Sequence, residues 1–82
     1  MINKMKSNKI KLRIEKVADV YKFIELTSSL PCNTRAIRNT SNVDAKSILG
    51  VLSINPDIWF YLVFDEFVDD KILDQFKEWE VE

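Results

Sequence analysis

No histidine occurs among the 82 residues, which removes the commonest proton shuttle and metal ligand and any nucleophilic imidazole. The reactive types that remain are few. Cys32 is the lone cysteine, so no disulfide forms within the chain. With no imidazole to take its proton, it reads as a small apolar side chain rather than a nucleophile. Carboxylates crowd at Asp65, Glu66, Asp69, Asp70 and Asp74. Their spacing lacks the glycine and the twelfth-position glutamate of a calcium loop, so they read as loop and helix-start charges; no metal and no cofactor is expected. Ser47 stands before Ile48-Leu49, where a hydroxyl caps a helix and a phosphate would meet helix amides. Paired carboxylates doing acid–base work would need a cleft that a chain this short hardly provides, so no catalytic residues are expected and the protein is not read as an enzyme.

The elements that must position these residues follow from the hydropathy pattern. Ile10, Leu12 and Ile14 alternate with Lys9, Lys11 and Arg13, which predicts a half-buried strand with a cationic outer face. From Val17 the period changes: Val17, Val20, Phe23, Ile24, Thr27 and Leu30 fall within about 140° of one helical face. Pro31 stops that helix. Cys32 to Arg38 is extended, and Asn39-Thr40-Ser41-Asn42 turns it back onto a short strand around Val43 and Asp44. Ala45 to Ile54 reads as a short helix with Ser47 as its cap, broken by Asn55-Pro56-Asp57. Ile58 to Phe64 is an aromatic and β-branched strand. Asp65 to Val68 is expected to be a loop, and a last helix from Asp69 or Asp70 aligns Ile72, Leu73, Phe76 and Trp79 in one stripe. The order β-α-β-β-α-β-α describes an α+β open-faced sandwich, with residues 1–8 as a flexible basic leader and 9–82 as one domain.

Composition narrows the class further. Gly and Pro together number three, too few for a disordered or low-complexity chain, and 46% apolar with 30% charged residues is ordinary for a globular domain. The net charge of −1 hides an asymmetry: residues 1–41 carry nine Lys/Arg and three Asp/Glu (+6), residues 42–82 three and ten (−7). Basic and acidic elements can pair across the fold, or the first half can take nucleic acid or an acidic partner. Met1 to Lys11 has no apolar core of a secretory signal, and the longest apolar run, Ile58 to Phe64, falls short of the ~18 residues of a spanning helix. The expectation is a cytoplasmic protein with no membrane partner.

At this element order, Val43-Asp44-Ala45-Lys46-Ser47-Ile48-Leu49-Gly50-Val51-Leu52-Ser53 resembles the segment around the regulatory serine of HPr, the histidine-containing phosphocarrier family of the bacterial sugar phosphotransferase system. The resemblance spans about residues 9–80. It implies an HPr-like fold, a four-stranded antiparallel sheet in the order 1-4-2-3 with three helices on one face. Counting back without gaps from Ser47, the family's phosphorylated histidine falls on Lys16, its arginine on Ala18 and its proline on Asp19. A lysine is protonated near neutral pH and cannot replace an imidazole nucleophile without a large pKa shift. Histidine phosphotransfer is therefore expected to be absent.

The resemblance also implies which residues would work. Ser47 matches the site of HPr kinase and is the candidate regulatory phosphosite. Ile48, Leu49 and Leu52 match the exposed apolar face of the family's second helix, which docks enzyme I, the kinase and a transcriptional regulator; Val51 and Ile54 would point inward. On the sheet's free face, Trp59, Tyr61 and Val63 would lie between Lys9, Lys11 and Arg13 on one side and Arg35 and Ile37 on the other. Aromatics among cations can stack bases, pack as surface cation–π pairs, or meet a second copy. No RNA-binding signature accompanies them, so nucleic acid ranks below packing and a homodimer. The expected function is protein binding in regulation. Its rivals are a phosphocarrier phosphorylated at Ser47 or Lys16, and a sheet-face module for nucleic acid or self-association.

Overall fold

Ile10, Leu12 and Ile14 are all buried, as their alternation with Lys9, Lys11 and Arg13 requires. The computed structural model describes residues 7–82. Strand β1 (Ser7–Leu12) leads to helix α1 (Val17–Ser28), then to a hairpin of β2 (Thr34–Arg38) and β3 (Ser41–Asp44). Helix α2 (Ile48–Ser53), strand β4 (Phe60–Val68), helix α3 (Asp70–Asp74) and a 3-10 turn at Lys77–Trp79 complete the chain. The strands form one antiparallel sheet in the order β1-β4-β2-β3, with the three helices against one of its faces. This is the α+β open-faced sandwich expected from the element order.

Leu12, Ala36, Phe60, Leu62 and Phe64 point into the layer between sheet and helices, and none has accessible surface. Phe23 of α1 meets them at the centre, its ring edge-on to Phe60 (5.5 Å), Phe76 (5.7 Å) and Trp79 (6.1 Å). Edge-to-face contacts let each ring's positive rim meet its neighbour's negative face, and burying one such ring stabilises by about 1.5–3 kcal/mol. Thr27 is buried in the same layer, and its hydroxyl donates to Ala45 O (2.8 Å) as well as to Ile24 O (3.1 Å). That bond ties α1 to the segment leading into α2.

The turns have local causes. The hairpin closes through Asn39-Thr40 alone, since Arg38 already pairs with Ser41. Asn39 takes the left-handed conformation (φ 56°), which asparagine tolerates better than most residues. Asn55 does the same (φ 54°) just beyond the end of α2, and Pro56 after it prevents further helix.

Five expectations need correction. The strand read as Ile58 to Phe64 begins only at Phe60, after a turn that leaves Ile58 exposed. Asp65 to Val68 is not a loop: β4 continues to Val68, which is buried and pairs with Ser7 across an irregularity in the register. The charges of Asp65 and Glu66 belong to a bulged, exposed stretch of strand rather than to its end. The last helix is not continuous either. α3 stops at Asp74 because the chain must reach β1, where Trp79 O accepts from Arg13 N–H (2.9 Å) and Val81 N–H donates to Lys11 O (3.0 Å). β1 begins at Ser7, so the proposed leader loses its last two residues to the sheet, and residues 1–6 lie outside the described residues. Finally, Val17 does not face the core: it is 60% exposed, because the first turn of α1 projects past the packed layer.

Candidate functional site

Two helix starts carry the chemistry that the sequence singles out. α1 is entered through Lys16, whose backbone has cap geometry (φ −105°, ψ 135°) but whose side chain makes no capping bond. An ammonium is a donor without an acceptor, so it cannot satisfy helix N–H groups. Lys16 O accepts from Asp19 N–H (3.0 Å) and Val20 N–H (3.1 Å). Asp19 supplies the first-turn anion that the dipole favours. The shallow depression here, about 250 Å³, is lined by Glu15, Asp19, Glu78 and Glu80 as well as Arg13 and Lys16. Lys22 lies 3.5 Å from Glu78 and 3.9 Å from Asp19. A phosphoryl dianion placed at this helix start would share the depression with four carboxylates as well as with Arg13 and Lys16, and the like charges would repel it.

α2 begins differently. Ser47 is its N-cap, with extended backbone, and its Oγ accepts from Gly50 N–H at 3.1 Å. Asp44 organises the approach: its Oδ1 accepts from Lys46 N–H (2.9 Å) and its backbone oxygen from Ser47 N–H (3.0 Å). Gly50 lets α2 approach β3 closely, since a Cβ there would lie 3.2 Å from Val43 Cβ, a tight contact. The helix spans Ile48–Ser53, shorter than the Ala45–Ile54 read from the sequence, because Ala45 is buried below β3 and the Asp44 turn precedes the cap.

The apolar residues of α2 separate into two sets. Val51 is fully buried and Ile54, just past the helix, is nearly so. Leu49 is 77% and Leu52 37% exposed, whereas Ile48 is half-buried against the core. The exposed set is therefore narrower than expected at Ile48 and wider on the α1 side. Val17 and Leu52 line one shallow depression of about 190 Å³ with Ile14, Val20 and Pro56. Tyr21, one turn along α1 from Val17, is exposed too. Sequence reading placed Val17 on the core face and did not single out Tyr21; their i, i+4 spacing at the helix start was the available signal.

The open face of the sheet forms a second cluster. Register places Lys9 opposite Val63 and Lys11 opposite Tyr61 on the β1 side, with Arg35 opposite Val63 and Ile37 opposite Tyr61 on the β2 side. Trp59 and Tyr61 meet edge to face at 5.7 Å. Lys9 Nζ sits 4.9 Å over the Tyr61 ring and Lys11 Nζ 4.9 Å over that of Trp59. Lys11 Nζ also donates to Glu82 O (3.3 Å), and Arg35 donates to Asn42 Oδ1 (2.7 Å) and Asn42 O (3.2 Å). Arg13 stands one residue beyond β1 and turns to Glu15 (3.5 Å) instead of to the aromatics. The structure thus brings Lys11, Trp59 and Tyr61 into contact, sets Arg35 on the same face with its guanidinium bonded to Asn42, and pairs Arg13 with Glu15.

Cys32 is buried in the bend between α1 and β2. Burial pushes its thiol above the ordinary 9.0, and Glu66 and Asp65 add to the rise, so the thiolate needed for nucleophilic chemistry is disfavoured. Among the described residues, no group of three or more His, Cys, Asp or Glu side chains is placed to hold a metal ion, and no helix is long and apolar enough to cross a membrane. Compared with models of known protein families, with curated proteins and with solved structures, the chain matches none.

Proposed function

We propose that this chain is an HPr-like protein that works by binding a regulatory protein partner through α2 and does not carry phosphohistidine. The observation that carries the reading is the bare apolar surface of α2. Leu49 and Leu52 are exposed on a helix held from below by Val51, and Val17 extends the patch from α1. Large aliphatics left uncovered together on a small domain are characteristic of a docking surface. Ser47, at the edge of that surface, is the phosphosite by which a kinase would regulate it: a phosphate added there would put a dianion beside the leucines and change what they bind. The partner is a protein of the class that the family resemblance implies, an HPr kinase or a transcriptional regulator, in a cytoplasmic setting. The carboxylates around Lys16 support the loss of phosphotransfer at α1.

Binding of a bacterial HPr kinase to the wild-type chain and to a Leu49→Glu/Leu52→Glu variant tests this reading. The double substitution is expected to weaken binding about tenfold or more, as losses at a central apolar anchor do. Equal affinity for both proteins would remove the α2 surface from the mechanism.

A further inference from the structure

The sheet's open face lies on the opposite side of the molecule from the helices and has no role in binding through α2. Its central strands present Tyr61 and Val63 from β4, with Trp59 just before that strand, flanked by Lys9 and Lys11 on β1 and by Arg35 and Ile37 on β2. These positions include no carboxylate, although the whole chain is net negative. Asp44 on the edge strand, opposite Arg35, is turned to the Lys46 N–H, and Asp65 marks the far end of the face on β4.

Two occupants are weakened by this layout. A two-fold contact between two such faces would set Lys9, Lys11 and Arg35 against the same three cations, and like charges placed opposite each other destabilise. An acidic polypeptide would satisfy the cations but would leave two adjacent aromatic rings without a role. A single-stranded nucleic acid uses both features: bases stack on aromatic rings and phosphates meet the cations beside them.

We infer that this face binds single-stranded nucleic acid, with Trp59 and Tyr61 as the stacking platform and Lys9, Lys11 and Arg35 as the phosphate contacts. The two lysines already lie over the rings, at 4.9 Å each. On binding, each swings from ring to phosphate and leaves the ring face to a base. Each lysine gives up a cation–π contact, which at an exposed site contributes about 0.5–1 kcal/mol, and Lys11 also gives up its bond to Glu82 O. Arg35, held by Asn42 through Nε and one terminal nitrogen, keeps further N–H groups for a phosphate oxygen.

The test is fluorescence anisotropy of labelled oligothymidylate and oligouridylate titrated with the full chain at low salt. Binding of either strand is expected, with log K falling against log salt at a slope of about −2, as three phosphate contacts on a single strand give. Trp59→Ala is expected to weaken binding about tenfold through the lost stacking. Lys11→Glu/Arg35→Glu, which leaves the aromatics in place, is expected to weaken it at least as much. Leu49→Glu, on the other side of the molecule, leaves it unchanged. Absence of binding at low salt would overturn the inference, as would equal affinity for a duplex of the same length. So would full displacement by polyglutamate with no dependence on Trp59, which would mean a surface for acidic proteins, or sedimentation showing a dimer that loses Trp59 from solvent.

Discussion

The helices α1 and α2 lie side by side on the same sheet yet are held by opposite means. α1 starts poorly, at a lysine that caps nothing, and is secured along its length by Val20, Phe23 and Thr27. α2 starts well, at a serine that accepts from Gly50 N–H, and has one buried side chain, Val51, within its six residues. A helix anchored by packing tolerates a poor first turn, and α1 keeps Val20, Phe23 and Thr27 buried despite its uncapped start at Lys16. A helix that depends on its cap must keep it. The difference explains why an uncapped lysine is tolerated at the start of α1 while the start of α2 depends on the Ser47 hydroxyl.

The largest effect expected from this contrast is at Phe23. Removing its ring in Phe23→Ala opens a cavity among Phe60, Phe76 and Trp79 and should cost about 3–5 kcal/mol in urea unfolding. That is most of the stability of a domain this small. A cost near that of a surface substitution would mean that α1 is not anchored by packing. Next is Thr27→Val, which keeps the shape but leaves Ala45 O without its hydroxyl donor. About 1–3 kcal/mol should be lost, and amide exchange in α2 should quicken because the tether to it is gone.

Ser47→Ala should cost about 1 kcal/mol, with faster exchange at the Gly50 amide, since the capping acceptor disappears. The smallest change sharpens the comparison from the other side. Lys16→Ser places an acceptor on a backbone already in cap geometry and should stabilise by about 0.5–1 kcal/mol. If Lys16→Ser gains nothing while Ser47→Ala also loses nothing, capping does not distinguish the two helices.

Much of this was legible in the sequence because the controlling forces are local. The alternation at Ile10, Leu12 and Ile14 and the Ser47 cap follow from period and residue type, whereas the inward Val51 and Ile54 and the cationic flank of Tyr61 are expected from the family resemblance. The misreadings arose where tertiary contacts decide. Asp65 and Glu66 look like loop residues, but the strand continues because Val68 finds a partner in Ser7 and a buried site. Ile72, Leu73, Phe76 and Trp79 have helical spacing, yet α3 ends early so that Trp79 O and Val81 N–H can reach β1. Val17 shares the helical stripe of Val20 and Phe23, and only the position of α2 and Pro56 shows that the stripe ends before it. The carboxylates around Lys16 come from both ends of the chain, Glu15 and Asp19 from one and Glu78 and Glu80 from the other, and no local pattern announces their meeting.

The functional claim also turns on the two helix starts, and one measurement, the intact mass after phosphorylation, addresses both. The chain is incubated with HPr kinase and ATP, and separately with enzyme I and phosphoenolpyruvate, and its intact mass is read each time. The expected result is one phosphoryl group from the kinase, absent in Ser47→Ala and slowed in Leu49→Glu/Leu52→Glu, with none transferred from enzyme I. No gain with the kinase, a gain that survives Ser47→Ala, or a phosphoryl group acquired from enzyme I would contradict a regulatory protein that binds through α2 and has lost its phosphocarrier site.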